Sequence, residues 1–409
     1  MTTDAGKVPR FSPWRSVWFN PRDTIEKIVA TNPRQHVLLL AVLGTIASIV
    51  SQVALSTFAT ALLDGRIVIG IFLLGILAGV PGLYISAYLL KLSSKPFGGH
   101  ASVGMIRAVI AWGMAPSAIG VPLCFIIFFG LERSGLVDEL TLSPVLRLVA
   151  VVLGLWALIL LILMFARVQG FGLWRTIASY AIFCFLILPL LALVIRSFFF
   201  QSFNIPSVGM MPTLLVGDNI LVSKYAYGYP HYSLPFAPPL FSGRLFASEP
   251  HLGDVVVFRL PKNDSIDYIK RIVGLPGDRI QMIDGILQIN GQPVKHERIA
   301  DFDSNDNGVV QRVKRYRETL PNGVSYTTLD LTDNGFYDNT PVYRVPPGHY
   351  FMIGDNLGNS TDSRVLSQVG YVPFENLIGR AEIIYFSFNS RSGNAQSAVR
   401  FERIGIAVR

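Results

Sequence analysis

The chain changes character within Leu190–Asp218, "LLALVIRSFFFQSFNIPSVGMMPTLLVGD". Its opening, Leu190–Phe200, carries a single charge, Arg196. After Ser202 come Asn204, Pro206, Gly209, Pro212, Gly217 and Asp218, residue types that interrupt regular apolar runs and set turns. Two differently built halves therefore meet here. The 409 residues are 51% hydrophobic and only 15% charged. That balance excludes a disordered chain and argues against an ordinary soluble one.

Upstream, long uncharged stretches run over 35–63, 67–90, 108–131, 148–166 and 176–195. A hydrocarbon core of roughly 30 Å needs about 20 helical residues, so each is long enough to span. Pro116 and Pro122 interrupt the third and predict a kink. Buried helices of a soluble bundle are the competing reading, but five such runs in the first half exceed what a soluble core uses.

Charge sets the expected orientation. Residues 1–200 hold 15 basic and 7 acidic residues, and residues 201–409 hold 20 of each, so the net charge of +8 belongs to the apolar half. This fits membrane orientation rather than nucleic-acid binding. Lys7, Arg10, Arg15, Arg22, Lys27 and Arg34 precede the first stretch, Lys91, Lys95 and Arg107 follow the second, and Arg167 and Arg175 follow the fourth. The alternate connections carry only Arg66, Arg133 and Arg147. The expectation is a cytoplasmic basic tail over 1–34, a five-span domain over 35–200, and residues 201–409 on the far side. The tail lacks the layout of a cleavable signal peptide.

Downstream, short runs rich in Val, Ile, Tyr and Phe predict strands at Asn219–Lys224, Asp254–Leu260, Tyr268–Val273, Arg279–Ile283, Ile286–Ile289, Ser325–Leu331, Tyr350–Ile353 and Ala381–Phe388. Asp284-Gly285 and Asn290-Gly291 are hairpin-turn dipeptides. The second half reads as all-β. Residues 229–250, rich in Pro and aromatics, read as a loop against the bilayer surface. Asp303, Asn305, Asn307 and Gly308 begin like a calcium loop, but Lys314 stands where the bidentate acid is required, so the segment reads as a polar loop. Cys124 and Cys184, the only cysteines, offer no disulfide framework, and the six histidines show no metal-ligand spacing. No metal or other cofactor is implied.

Two resemblances add to this reading. From Pro13 to about Arg167, "PWRSVWFNPRDTIEKIVATNPRQHVLLLAVL" and the span pattern resemble the Yip1-type helical membrane domain; the segment around Trp14 and Trp18 reads as part of a membrane anchor and packing module, with an amphipathic segment along the interface as the alternative. From about Leu191 to Phe388, "NIPSVGMMPTLLVGD" (Asn204–Asp218), "GDVVVFRLPKN", "YIKRIVGLPGD" (Tyr268–Asp278), "GDNLGNSTDSR" (Gly354–Arg364) and "GYVPFENLIGRA" resemble, in order, the boxes of bacterial type I signal peptidase. That resemblance implies a membrane-bound serine endopeptidase with a Ser–Lys dyad. Its partners would be exported precursors, cut after small side chains, and membrane lipid; its place would be the bacterial plasma membrane, with the β-half periplasmic.

By the same resemblance, Lys270 is the general base. A free lysine has a pKa of about 10.4, so the role demands burial that favours the neutral amine. On strand pattern alone, Lys270 reads instead as a lysine on a solvated strand face. Ser360 matches the serine that orients the lysine, Ser207 the residue that helps hold the oxyanion, and Pro206 and Met210 flank the substrate. Asp362 and Arg364 match a structural ion pair, with Asp355 and Arg271 nearby. The family usually reads Ser-Gly-Ser-Met-x-Pro-Thr, with the second serine as nucleophile. Here Gly209 holds that position. If Ser207 lay in a strand, its Cα would be roughly 6.5–7 Å from that of Gly209, too far to replace the hydroxyl. Leu357 and Gly358 stand where the family often has Arg and Asp. Three readings follow: an active leader peptidase, a silent member that retains the peptide groove, and a scaffold acting through the five-span half. The silent reading comes first.

Overall fold

A computed structural model of the chain describes residues 11–55, 65–134, 139–230, 233, 243–306, 309–331, 335–388 and 399–409. It divides into Met1–Leu190 and Leu191–Arg409.

The first unit is helical. Among the described residues, Val68–Phe97, Val103–Cys124, Leu148–Gln169 and Leu173–Phe198 are long and apolar enough to cross a membrane, and Val37–Gln52 is a shorter apolar helix. All five expected stretches are thus helical among the described residues, the first of them over Val37–Leu55. Leu155, Trp174 and Phe185 turn outward at 56%, 76% and 83% exposure, an arrangement suited to a lipid surround. The third stretch does break. One helix ends at Gly113 and the next begins at Ala115, placing Pro116 in a first turn, where its missing N–H is harmless. Pro122 sits inside the second helix. Ahead of Pro189, Phe183–Ile187 forms a π-turn.

Trp14 packs its ring 4.9 Å from Trp112 and 5.2 Å from His36, and Val17, Ile25 and Ile28 are fully buried. The helices Pro13–Ser16 and Pro21–Thr31 therefore pack into the helical core, in keeping with a packing module. Buried Gln169 is satisfied at both ends. Its Oε1 accepts from the backbone N–H groups of His100 and Ala101 at 3.1 and 3.0 Å, and its Nε2 donates to Ser94 Oγ at 3.0 Å.

The second unit is built on antiparallel sheets. The largest runs Phe200–Asn204, Asp218–Ser223, Leu377–Ser387, Val255–Leu260, Asn263–Gly274, His349–Ile353, Val372–Pro373 in spatial order. One apolar cluster (Ile205, Leu214, Val222, Val255, Ile384) and another (Val273, Ile280, Met282, Phe351) form its cores. Both hairpin dipeptides close two-residue turns, with Ile283 paired to Ile286 and Ile289 to Gln292. Asp284, Gly285, Asn290 and Gly291 all adopt positive φ, as such turns require.

The polar-loop expectation around Asp303 is corrected. Lys295–Asp306 and Val309–Thr319 are two long paired strands, joined by Ser325–Asp330 into a third sheet; Asn307 and Gly308 lie outside the described residues. Of the expected surface loop at 229–250, Tyr229–Pro230 pairs with Arg244–Leu245. Most of the residues between them lie outside the described ones.

Candidate active-site cleft around Lys270

Strand Asn263–Gly274 carries the central residue. On one side it pairs with Val255–Leu260, bringing Lys270 opposite Val256. On the other side, His349–Ile353 reaches only as far as Arg271. Ile266–Lys270 therefore present an unpaired backbone edge among the described residues. This edge borders a cleft of about 580 Å³, lined on its other walls by Phe203–Gly209 and Gly358–Thr361.

Lys270 is 6% exposed, and burial pushes its amine below the ordinary lysine range, against the opposing pull of the Asp362 and Asp355 carboxylates. Its Nζ makes no hydrogen bond or ion pair among the described residues and lies 5.5 Å from the Tyr268 ring centroid. Lowering the pKa enlarges the fraction of neutral amine that can accept a proton.

Gly209 faces it. A β-carbon on Gly209 would lie 3.2 Å from Lys270 Nζ, 3.5 Å from the Asn359 carbonyl oxygen and 3.8 Å from Ser360 Oγ. The backbone there is outside the left-handed region, so glycine is not a conformational requirement. The Asn356 N–H donates to the Gly209 carbonyl at 3.2 Å, and Asn356 Nδ2 donates to the Val208 carbonyl at 3.1 Å. Gly354, by contrast, cannot be replaced freely, because a β-carbon on it would lie 2.2 Å from Ser360 Oγ and 2.4 Å from the Gly209 carbonyl. Ser360 Oγ is itself buried without a hydrogen-bond partner.

Two buried ion pairs support the floor. Arg271 Nε and Nη2 donate to Asp355 Oδ1 and Oδ2 at 2.8 and 2.7 Å, and Thr213 Oγ1 donates to the same carboxylate. Burial opposes the charge of Arg271, but Asp355 outweighs it and raises the guanidinium pKa. Arg364 Nε and Nη2 donate to Asp362 Oδ1 and Oδ2 at 2.9 and 2.8 Å. The Gly354 N–H also donates to Asp362, at 3.1 Å. Asp355 is thus fully engaged without a charge at Leu357 or Gly358. A β-carbon on Gly358 would stand 3.0 Å from that of Leu331, so a side chain there needs a local shift.

The family model for signal peptidase, peptidase S26, matches residues 177–386. A signal peptidase I of Rickettsia typhi is 45% identical over 217 residues, 51% of this chain and 80% of that protein. The chain belongs to the signal peptidase I family. The family's Rickettsia conorii member is likewise 45% identical, over 205 residues, 48% of this chain and 75% of its own length. The Yip1 domain model matches residues 15–195. A solved signal peptidase I from Enterococcus faecalis aligns at 26% identity over 32% of this chain and 97% of its own, with a TM-score of 0.19.

In this signal peptidase I relative, the structure brings Gly209, Lys270 and Ser360 to one cleft, with Pro206 and Ser207 on its exposed lip. Met210 is not on the wall. It is 1% exposed and packs into the core with Ile205 and Leu214, which corrects its expected contact with substrate. Ser207–Gly209 lie in a bend after strand Phe200–Asn204, so the strand spacing expected between Ser207 and Gly209 does not apply. Sequence reading missed Asn356 and Asn359. Their contributions depend on folding of the turn Gly354–Ser360 against Val208–Gly209, a contact between distant segments that no local pattern announces.

Proposed function

We propose that this chain is a catalytically silent signal peptidase I that binds leader peptides of exported proteins without cutting them. The observation that carries the reading is Gly209 facing the amine of Lys270. A Ser–Lys mechanism needs a hydroxyl there to form the acyl bond, and a base alone supplies none. The groove supports binding. An extended peptide can add to the free edge at Ile266–Lys270, with backbone hydrogen bonds giving affinity and the cleft walls reading alternate side chains. In this reading Ser360 would orient Lys270, and Pro206 would flank the peptide. Ser207 sits on the exposed lip, where its hydroxyl serves the oxyanion rather than attack.

The charge pattern of the helical half supports a cytoplasmic N-terminus and a sheet unit on the periplasmic side of the bacterial inner membrane. The test uses the full chain in detergent with an exported precursor carrying an Ala-x-Ala site. Binding without turnover is expected. Efficient cleavage that disappears in Lys270→Ala overturns the reading.

A second reading has its own observation: the alignment to the Rickettsia typhi relative covers only half of this chain, while the Yip1 domain matches residues 15–195. The helical half would then act as a membrane scaffold. A chain that fails to bind leaders while its helical unit alone retains a membrane partner favours this reading.

A further inference from the structure

The charges around Lys270 leave one of them uncompensated. Asp355 is held by Arg271, Asp362 by Arg364, and Asp267, on the cleft wall, by Arg259 at 2.8 Å. Three carboxylates thus meet three guanidinium groups, and the lysine is the remaining titratable charge at the cleft. When protonated, it is a buried cation without a hydrogen-bonded partner among the described residues, an arrangement that favours an incoming anion. Beside it, Ser360 Oγ is a buried hydroxyl with its hydrogen-bonding capacity unused. Both groups face the space that a side chain at residue 209 would occupy.

We propose that this space is a carboxylate site, and that the preferred ligand is a cut leader, a peptide ending in a free α-carboxylate, rather than the uncut precursor. The proposal rests on the leader-binding reading and adds the chemistry of the peptide end. An uncut chain offers one carbonyl oxygen at this point and must continue past it. A cut chain offers a second oxygen, and the absent side chain of Gly209 makes room for it. One carboxylate oxygen then accepts from Lys270 Nζ and from Ser360 Oγ in charge-assisted geometry. The Asn359 carbonyl oxygen faces the same space and would repel an anion on its own. The ammonium carries three hydrogens, enough to serve the carboxylate and that carbonyl together.

The test measures affinity of the full chain in detergent for three synthetic peptides: a leader ending in Ala-x-Ala with a free carboxylate, the same peptide as its C-terminal amide, and a longer one running through the cut. The free carboxylate is expected to bind at least tenfold tighter than the amide. Lys270→Met should remove this preference, read as the ratio of carboxylate to amide affinity within the same variant, and Ser360→Ala should reduce it. Equal affinity for carboxylate and amide, or a preference that survives Lys270→Met, overturns the carboxylate site and leaves leader binding standing. Absence of binding by all three peptides overturns both.

Discussion

A side chain on Gly209 would begin 3.2 Å from the amine of Lys270. The contact is tight, yet the opposing atom is the end of a flexible side chain, so a serine fits with a few tenths of an ångström of movement. Gly209→Ser is therefore expected to restore precursor cleavage. Loss of the nucleophile in a serine protease costs about 10⁶ in kcat. Val208, Leu357 and Gly358 also depart from the family pattern and should hold recovery well below that, so a gain of at least about 10² over the unaltered chain is expected, read as precursor processing in detergent. Retained leader binding with no gain would show that these other departures disable the site as well.

The pH profile of that variant follows from the burial of Lys270. The active form is the neutral amine, so cleavage should rise with pH and level off above the lysine's own pKa. Burial lowers that pKa, placing the midpoint below the free-lysine value of about 10.4. Asp362 and Asp355 pull it upward and Arg364 downward. Asp362→Asn in the same background should move the midpoint to lower pH. A profile that falls as pH rises would remove Lys270 from the base role.

Arg271→Met should destabilise the sheet unit, because Asp355 would be left as a buried charge without its bidentate partner. Breaking such a pair costs about 3–5 kcal/mol. Denaturant unfolding of the full chain, followed by a probe in the sheet unit, measures it. Replacing Asp355 at the same time should recover part of the loss.

Gly354→Ala should weaken peptide binding although residue 354 does not itself line the cleft. Its β-carbon would collide with Ser360 Oγ and the Gly209 carbonyl, and overpacking of this kind costs about 1–3 kcal/mol. Titration of the variant with a leader peptide reads the effect; unchanged affinity would show that the turn Gly354–Ser360 moves freely.

Much of this architecture was legible because it is local. Asp284-Gly285 and Asn290-Gly291 announce their turns through residues that tolerate positive φ, and Arg279–Ile283 and Ile286–Ile289 occupy the very segments expected as strands. The long pair Lys295–Asp306 and Val309–Thr319 was not legible. Its residues are heavily charged, and among the described ones only Val313 and Glu318 are buried, so no apolar alternation betrays it; the two strands are joined by backbone pairing. At the cleft, Lys270, Ser360 and Gly209 were found from their boxes. The burial of Met210 in the core was not, because it follows from the turn that comes after the exposed Pro206 and Ser207.

The ordinary backbone at Gly209 has a consequence for heredity. Glycine codons GGT and GGC lie a single base from AGT and AGC, which encode serine, and nothing in the local conformation would resist the exchange. Under the proposed silent reading, a gene using either codon stands a single base change from a chain that regains this hydroxyl.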